Sequence, residues 1–163
     1  MKLLPLAALL TLPLLALGCS SEASTEAAPP ARPGLPATFW LDAAQGEAVG
    51  VRSARESAED GAEVTVSGHL QDFGDLATFR MVDLALAPCT DQCPTPWDFC
   101  CEDPADLTVS TINVEFLDGD LPGSWALKGE RGLDHLTQVQ VTGTLRRDGS
   151  GNVRLEASRI AKL

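Results

Sequence analysis

Side chains that usually carry enzyme chemistry are scarce in this sequence. It contains no tyrosine and only two histidines, His69 and His135, and 5% of its 163 residues are aromatic. Neither histidine lies in a recognised catalytic spacing. The sequence also has no Gly-x-Ser-x-Gly, Gly-Lys phosphate loop, His-Glu-x-x-His or Cys-x-x-Cys motif. Hydrolases with a serine nucleophile, nucleotide-binding enzymes and zinc proteases are therefore unsupported, and we expect a protein that is not an enzyme.

Basic residues are also few. Lys and Arg number 12 against 23 Asp and Glu, which gives a net charge of −11. No basic residue lies between Arg80 and Lys128, whereas that stretch contains nine carboxylates: Asp83, Asp91, Asp98, Glu102, Asp103, Asp106, Glu115, Asp118 and Asp120. Because such a surface repels a phosphate backbone, we expect no nucleic-acid partner. The same charge attracts cations and permits an oxygen-ligated Ca²⁺ site, although a run of carboxylates is usually a solvated face.

The sequence lacks an apolar run long enough to span a membrane. Residues 3–17 form an apolar run of 15 after Lys2, which is typical of an export signal. The following residues, Leu15-Ala16-Leu17-Gly18-Cys19, resemble the bacterial lipobox. We therefore expect residues 1–18 to be a lipoprotein signal peptide, and Cys19 to be lipidated and to anchor the protein to a membrane. This anchor predicts a cell-envelope location, at the periplasmic or outer-membrane face. The alternative is ordinary cleavage that leaves Cys19 as a free thiol.

Residues 19–45 are predicted to be a tether. The segment 20–38 consists mainly of Ser, Ala, Glu and Pro, a composition that does not build a core and favours extended chain. The folded domain is predicted at residues 46–163. The sequence as a whole contains 14 Gly and 11 Pro, which indicate turns rather than long helices.

Period-two apolar spacing in the second part of the chain predicts five short strands. The strands are marked by Val64 and Val66; by Phe79 and Met81; by Ile112, Val114 and Phe116; by Val139, Val141 and Leu145; and by Val153 and Leu155. Ser53–Asp60 is predicted to be a short helix with Ser53 as its cap. Five short strands, one with an interior Gly68 at which it bends, favour an all-β fold: a small closed barrel, with a β-sandwich as the alternative.

Four cysteines lie within a predicted loop between the second and third strands: Cys89, Cys93, Cys100 and Cys101. An even number of cysteines in an exported domain favours disulfides, and we favour the two pairings that join Cys89 and Cys93 to the Cys100-Cys101 pair. Two alternatives remain. The cysteines and His69 are candidate ligands for Zn or Cu, and a reactive thiol would make the protein a thiol-disulfide oxidoreductase.

Three residues of this loop, Trp97, Asp98 and Phe99, are candidates for a binding surface. The alternative interpretation is structural: Trp97 would belong to a small local core beside the sulfurs, and Asp98 would accept hydrogen bonds from amides of its own turn.

Two stretches of the sequence carry a resemblance to known proteins. The segments 61–68, 79–83 and 139–143 resemble the strand rhythm of exported bacterial OB-fold domains. The run Cys93-Pro-Thr-Pro-Trp-Asp-Phe-Cys-Cys101 resembles the C-P-x-P-W-D-[YF]-C-C signature of uncharacterised, mostly planctomycetal, exported lipoproteins. This resemblance implies a five-stranded OB-fold-like Greek-key barrel and export, and it implies no activity.

Together these observations predict a lipid-anchored domain with a binding or structural role in the cell envelope. The partners that we expect are the membrane, through the anchor, and a protein or a metal ion, and no cofactor is expected in the first interpretation.

Overall fold

A computed structural model of the protein describes residues 31–89 and 93–163. The predicted signal peptide, the lipidation site Cys19 and the first part of the predicted tether lie outside the described residues. Residues Ala31–Leu163 form one compact unit. No helix in the described ranges is both long and apolar enough to cross a membrane.

Strands make up most of the regular structure. The described residues contain eight strands and two α-helices, in chain order β1 (Val49–Gly50), α1 (Val51–Ser57), β2 (Glu63–Phe73), β3 (Thr78–Val82), α2 (Pro104–Val109), β4 (Thr111–Glu115), β5 (Leu117–Asp118), β6 (Leu121–Pro122), β7 (Gln138–Arg147) and β8 (Val153–Lys162). Two short 3₁₀ turns, Ala37–Phe39 and Glu130–Gly132, complete the described elements.

Five of these strands close into a barrel. Neighbouring strands follow the order β2-β3-β4-β8-β7, and β7 pairs again with β2 to close the ring. The β4–β8 pair is parallel and the other four pairs are antiparallel. This order is that of a Greek-key OB-fold barrel. The predicted all-β barrel is therefore confirmed and the β-sandwich alternative is wrong, while the eight observed strands exceed the five predicted.

Gly68 allows β2 to serve two neighbours. From Glu63 to His69 this strand pairs with β7, and from His69 to Phe73 it pairs with β3. A Cβ atom at Gly68 would lie 2.5 Å from Cγ of Met81 and 2.6 Å from the carbonyl oxygen of Val82. Because β3 approaches so closely at this point, position 68 requires a residue without a side chain. The interior glycine of the sequence meets this requirement.

The barrel interior is filled by alternate strand residues with 2% exposure or less: Val66, Leu70, Phe79, Met81, Ile112, Val114, Val139, Val141, Leu145, Leu155 and Ile160. The segment before β1 covers part of this core and shields it from solvent. Leu35 is 5% exposed, Phe39 and Trp40 pack against the core, and Leu41 N donates to the Ile160 carbonyl at 2.8 Å. Leu35, Phe39, Trp40 and Leu41 belong to the segment predicted to be the tether, and in the structure they lie against the barrel.

Both helices differ from expectation. The predicted helix Ser53–Asp60 is observed at Val51–Ser57, where Ser53 is an interior residue and Gly50 occupies the cap position without a side-chain bond. The carboxylate of Asp83 replaces the missing cap, because its Oδ2 accepts from Arg52 N at 2.9 Å. Helix α2 was not predicted, although its first residues carry the usual start signal: Asp103 accepts from Ala105 N and Pro104 follows.

Candidate functional site

The longest irregular excursion from the barrel leaves at the end of β3 and returns at the start of β4. We call residues 83–110, which contain the four cysteines, the cysteine loop. Val82 and Thr111 are paired neighbours in the barrel, so both ends of the loop meet at one point. Helix α1 holds this point: Asp83 bonds Arg52 N, and Arg52 Nε donates to Ser110 Oγ at 3.0 Å. The base of the loop is therefore fixed to the barrel.

The tip of the loop is also pinned. Phe99 is fully buried, and its ring lies 6.1 Å from the ring of His69. Asp98 Oδ1 accepts from Phe99 N and from Gln71 Nε2, both at 2.8 Å, and the Asp98 carbonyl accepts from Cys89 N at 2.7 Å. Asp98 and Phe99 are consequently occupied in holding the loop.

Trp97 alone among the three binding-loop candidates offers surface to a partner. Its side chain is 37% exposed and stacks on His135 with ring centroids 5.1 Å apart. The imidazole is held by the Gln71 carbonyl at Nδ1 and by Lys128, whose ammonium lies 2.9 Å from Nε2. A cleft of about 410 Å³ opens here, lined by Pro96, Trp97, Lys128, Asp134, His135 and Leu136. We call it the Trp97 cleft.

Two residues that line the Trp97 cleft, Asp134 and Lys128, carry opposite charges. The pKa of Asp134 is lowered, chiefly because its carboxylate accepts the backbone N–H of His135, and further by the nearby Lys128 ammonium at 3.8 Å. Nothing in the sequence indicates that His135 stacks on Trp97. The two residues are 38 positions apart, and no periodic pattern links them.

The four sulfurs of the cysteine loop form a row. Cys93 Sγ lies 3.2 Å from Cys100 Sγ, which lies 2.9 Å from Cys89 Sγ, which lies 3.5 Å from Cys101 Sγ. These separations exceed the ~2.05 Å of a disulfide bond, and all four described cysteines are thiols in this structure. The disulfide prediction therefore stays a prediction, while the predicted proximity of Cys89 and Cys93 to the Cys100-Cys101 pair is observed.

The thiols differ in acidity and in access. The pKa of Cys89 is lowered chiefly by its side-chain hydrogen bond with Cys100 and, to a smaller extent, by its hydrogen bond with Cys101. The hydrogen bond of each with Cys89 is the largest effect that raises the pKa of Cys100 and of Cys101. Cys89 is 6% exposed, whereas Cys100 and Cys101 are exposed. The sulfur with the lowered pKa is thus the one that a substrate cannot reach, which is the reverse of what a redox enzyme needs.

The structure brings together three of the five predicted metal ligands. The sulfurs of Cys89, Cys100 and Cys101 all lie within 4.8 Å of one another, a group that includes neither Cys93 nor His69. The His69 ring instead contacts the Leu136 carbonyl at 3.3 Å through Nδ1 and packs beside Phe99. A site with His69 as a ligand is therefore not formed by the described residues.

Another cleft lies on the outer face of β3 and β4. It measures about 460 Å³ and contains two guanidinium groups, but both are engaged: Arg55 donates to the Thr111 carbonyl at 2.8 Å, and Arg80 lies 3.3 Å from Asp72. Burial and the neighbouring Arg147 lower the pKa of Arg55. This cleft has no arrangement of groups that points to chemistry.

Comparisons with known proteins add little to this description. No family model and no curated protein matches the chain. Among solved structures, the chain is similar to the hypothetical protein ygiW from E. coli, with 16% identity, 76% of this chain and 97% of that chain covered, and a TM-score of 0.41. It is also similar to the telomere capping protein Ten1 from Saccharomyces pombe, with 10% identity, 77% and 80% covered, and a TM-score of 0.38. A third similar structure is the OBody AM1L10 bound to hen egg-white lysozyme, with 17% identity, 74% and 98% covered, and a TM-score of 0.44. Likenesses this distant carry no argument about activity or partner.

Proposed function

We propose that this protein is a non-catalytic, lipid-anchored OB-fold domain of the bacterial cell envelope, whose acidic cysteine loop is stapled by disulfides and presents a fixed binding surface. One observation carries the proposal: four sulfurs linked by three contacts of 2.9–3.5 Å lie in a loop that the barrel already holds at its base and at its tip. A loop held in this way pays little ordering entropy when a partner binds.

A structural role for the sulfurs agrees with their surroundings. A thiol-disulfide oxidoreductase needs an accessible sulfur of lowered pKa, whereas here the pKa values of the exposed Cys100 and Cys101 are raised. Acidic neighbours in the same loop disfavour thiolates further. Both effects support a protein without redox activity.

The Trp97 cleft is the surface that we assign to partner binding. An exposed indole supported from below by His135 is a rigid aromatic anchor, the kind of side chain that dominates binding free energy at protein interfaces. The carboxylates of the adjacent cysteine loop favour a partner of positive charge and disfavour nucleic acid. We therefore propose a protein partner with a basic surface rather than an oligonucleotide.

The location rests on the sequence around Cys19. Disulfides persist outside the reducing cytosol, so a stapled loop and an export signal support the same compartment. We propose that residues 20–30, composed mainly of Ser, Ala, Glu and Pro, act as a spacer between Cys19 and the barrel.

A second candidate function is binding of a soft metal ion, Zn²⁺ or Cu⁺. The observation that favours it is the group of three sulfurs within 4.8 Å of one another, with Cys93 as the nearest further thiol. The sulfur contacts of 2.9–3.5 Å are, however, shorter than the ~3.8 Å that separates tetrahedral thiolates at Zn–S distances of about 2.3 Å. The row would have to open to admit zinc, and for this reason we propose disulfides before a metal site.

The two functions are separated by the mass and thiol content of protein isolated from its own membranes under non-reducing conditions. Disulfides predict a mass four hydrogens lower than that of the reduced form, no free thiol among the loop cysteines and no bound metal. A sample reduced and alkylated in denaturant serves as the matched control for the count of four. Four free thiols with one equivalent of zinc or copper would overturn the disulfide proposal and establish the second candidate.

A further inference from the structure

The order of the sulfurs in the row carries information about how they are bonded. We propose that one disulfide joins Cys93 to Cys100 and the other joins Cys89 to Cys101. This inference rests on the stapled loop proposed above and deepens it, because four cysteines allow three pairings and the sequence leaves two of them open.

In this pairing each of the four sulfurs is bonded to a sulfur that it already contacts. Neither of the other two pairings has this property. Cys93 and Cys101 are the two ends of the row, and each has its contact partner beside it, at 3.2 and 3.5 Å. The shortest contact, 2.9 Å, joins the two central sulfurs of Cys89 and Cys100. A bond between these two would leave Cys93 to pair with Cys101, two sulfurs that are not among the contacts of the described residues.

The path of the chain supports the same pairing. Cys89 N donates to the Asp98 carbonyl, Asp98 N donates to the Thr95 carbonyl, and Glu102 N donates to the Phe99 carbonyl, at 2.7, 2.9 and 3.0 Å. The loop therefore folds back on itself and brings residue 89 alongside residues 98–101. A chain that folds back in this way places the outer cysteines together and the inner cysteines together, so that the 93–100 bond is nested within the 89–101 bond.

Access to the sulfurs indicates how the bonds form. Cys100 and Cys101 are exposed, so a disulfide-bearing thiol oxidant of the envelope reaches them first and forms a mixed disulfide there. In that step the Cys101 thiolate breaks the oxidant's S–S bond and releases one of its two sulfurs as a thiolate. Cys89, once deprotonated, then attacks Cys101 Sγ, forms the protein disulfide and expels the other oxidant sulfur, which was bonded to Cys101, as a thiolate. Cys93 resolves a mixed disulfide at Cys100 in the same manner. For each bond two thiols lose two protons and two electrons, and the oxidant's disulfide is reduced to a dithiol.

A single cleavage pattern tests the pairing in the wild-type protein. Proteolysis before aspartates, under acidic non-reducing conditions, cuts at Asp91, Asp98 and Asp103, and leaves Cys89, Cys93 and the Cys100-Cys101 pair on three separate peptides. Backbone fragmentation between Cys100 and Cys101 in a mass spectrometer then shows which peptide each carries. We expect the fragment Asp98-Phe99-Cys100 to carry the Cys93 peptide. The same fragment carrying the Cys89 peptide would overturn the inference and leave the stapled loop intact.

Double variants provide the second measurement. Cys93→Ser/Cys100→Ser leaves a contacting pair and is expected to retain one disulfide and no free loop thiol. The matched variant Cys89→Ser/Cys100→Ser leaves only the ends of the row and is expected to show two free thiols. A disulfide in this second variant would contradict the nested pairing. Four free thiols in the wild-type loop would overturn both the inference and the disulfide proposal, which distinguishes the two failures.

Discussion

Asp148 is the residue that closes the turn between β7 and β8. Its Oδ2 accepts from Asn152 Nδ2 at 2.7 Å, and its Oδ1 accepts from the backbone N–H groups of Ser150 and Asn152. These bonds favour the ionised carboxylate and lower the pKa of Asp148, the Asn152 side chain having the largest effect. A carboxylate whose pKa is lower in the folded than in the unfolded protein stabilises the fold at pH values above its unfolded pKa, which is about 3.9 for Asp.

Removing this carboxylate is expected to alter the acid limb of the stability curve. In wild type the contribution of Asp148 is present above about pH 4 and is lost as the pH falls through the lowered folded pKa. The free energy of unfolding should therefore differ most between wild type and Asp148→Asn at pH 5–7, and the difference should shrink below about pH 4. Urea titrations from pH 2.5 to 7 measure it. A difference that stays constant over this range would contradict the assignment, and Asp120→Asn, at the exposed turn between β5 and β6, controls for the loss of one negative charge.

Other residue-scale features differ in how far the sequence predicts them. The bond from Phe99 N to Asp98 is local, and turn chemistry alone predicts it. Gln71 donates to the same carboxylate from β2, 27 residues away, and no periodicity in the sequence signals that contact. The stack of Trp97 on His135 is of the same kind. Contacts of this long range, which depend on barrel closure, decide which loop side chains are buried and which remain exposed.

At the scale of elements, β2 depends on one backbone position. Gly68 lies where the strand passes from its pairing with β7 to its pairing with β3, and a methyl group there would meet Met81 and the Val82 carbonyl at 2.5–2.6 Å. Gly68→Ala is expected to destabilise the barrel by about 1–3 kcal/mol, because a backbone carbonyl of the neighbouring strand cannot move aside without loss of the β3 pairing. Chemical denaturation monitored by circular dichroism gives this value.

The matched control for that variant is Gly149→Ala, in the turn between β7 and β8. A Cβ atom at Gly149 meets nothing within 4 Å, so this substitution should change the free energy of unfolding by no more than about 0.5 kcal/mol. Equal effects of the two substitutions would show that the first acts through backbone entropy and that β3 does not approach β2 as described.

Helix α1 shows why the bounds of elements are harder to predict than their existence. Ser53 with Glu56 three residues later is a capping pattern, but the helix begins two residues earlier, at Val51. Its first turn buries Val51 and Ala54, and its free N–H is satisfied by Asp83 from the start of the cysteine loop. Burial and a cap from elsewhere in the chain outweigh the local signal. The strands were predictable because one face of each fills the barrel.

For the whole molecule, the packed unit reaches further toward the N-terminus than composition indicates. Residues 31–41 are rich in Pro and Ala, yet Leu35 is buried, Trp40 forms a bridge with Ile160, and the Arg131 guanidinium lies 4.8 Å from the Trp40 ring centroid. A few large side chains at the end of a segment of tether composition are enough to dock it on the barrel.

The proposed lipid anchor is tested by a substitution at Cys19. Cys19→Ala removes the sulfur to which acyl chains would be attached, and without them we expect the protein to leave the membrane fraction and appear among soluble envelope proteins. The variant is exported behind an ordinary cleavable leader, so that an uncut signal does not hold it on the membrane. Cys93→Ser, which retains Cys19, is the matched control and should stay in the membrane fraction through a high-salt wash. Retention of Cys19→Ala after the same wash would show that the barrel binds the envelope by its own surface and that the lipid anchor is not what holds it.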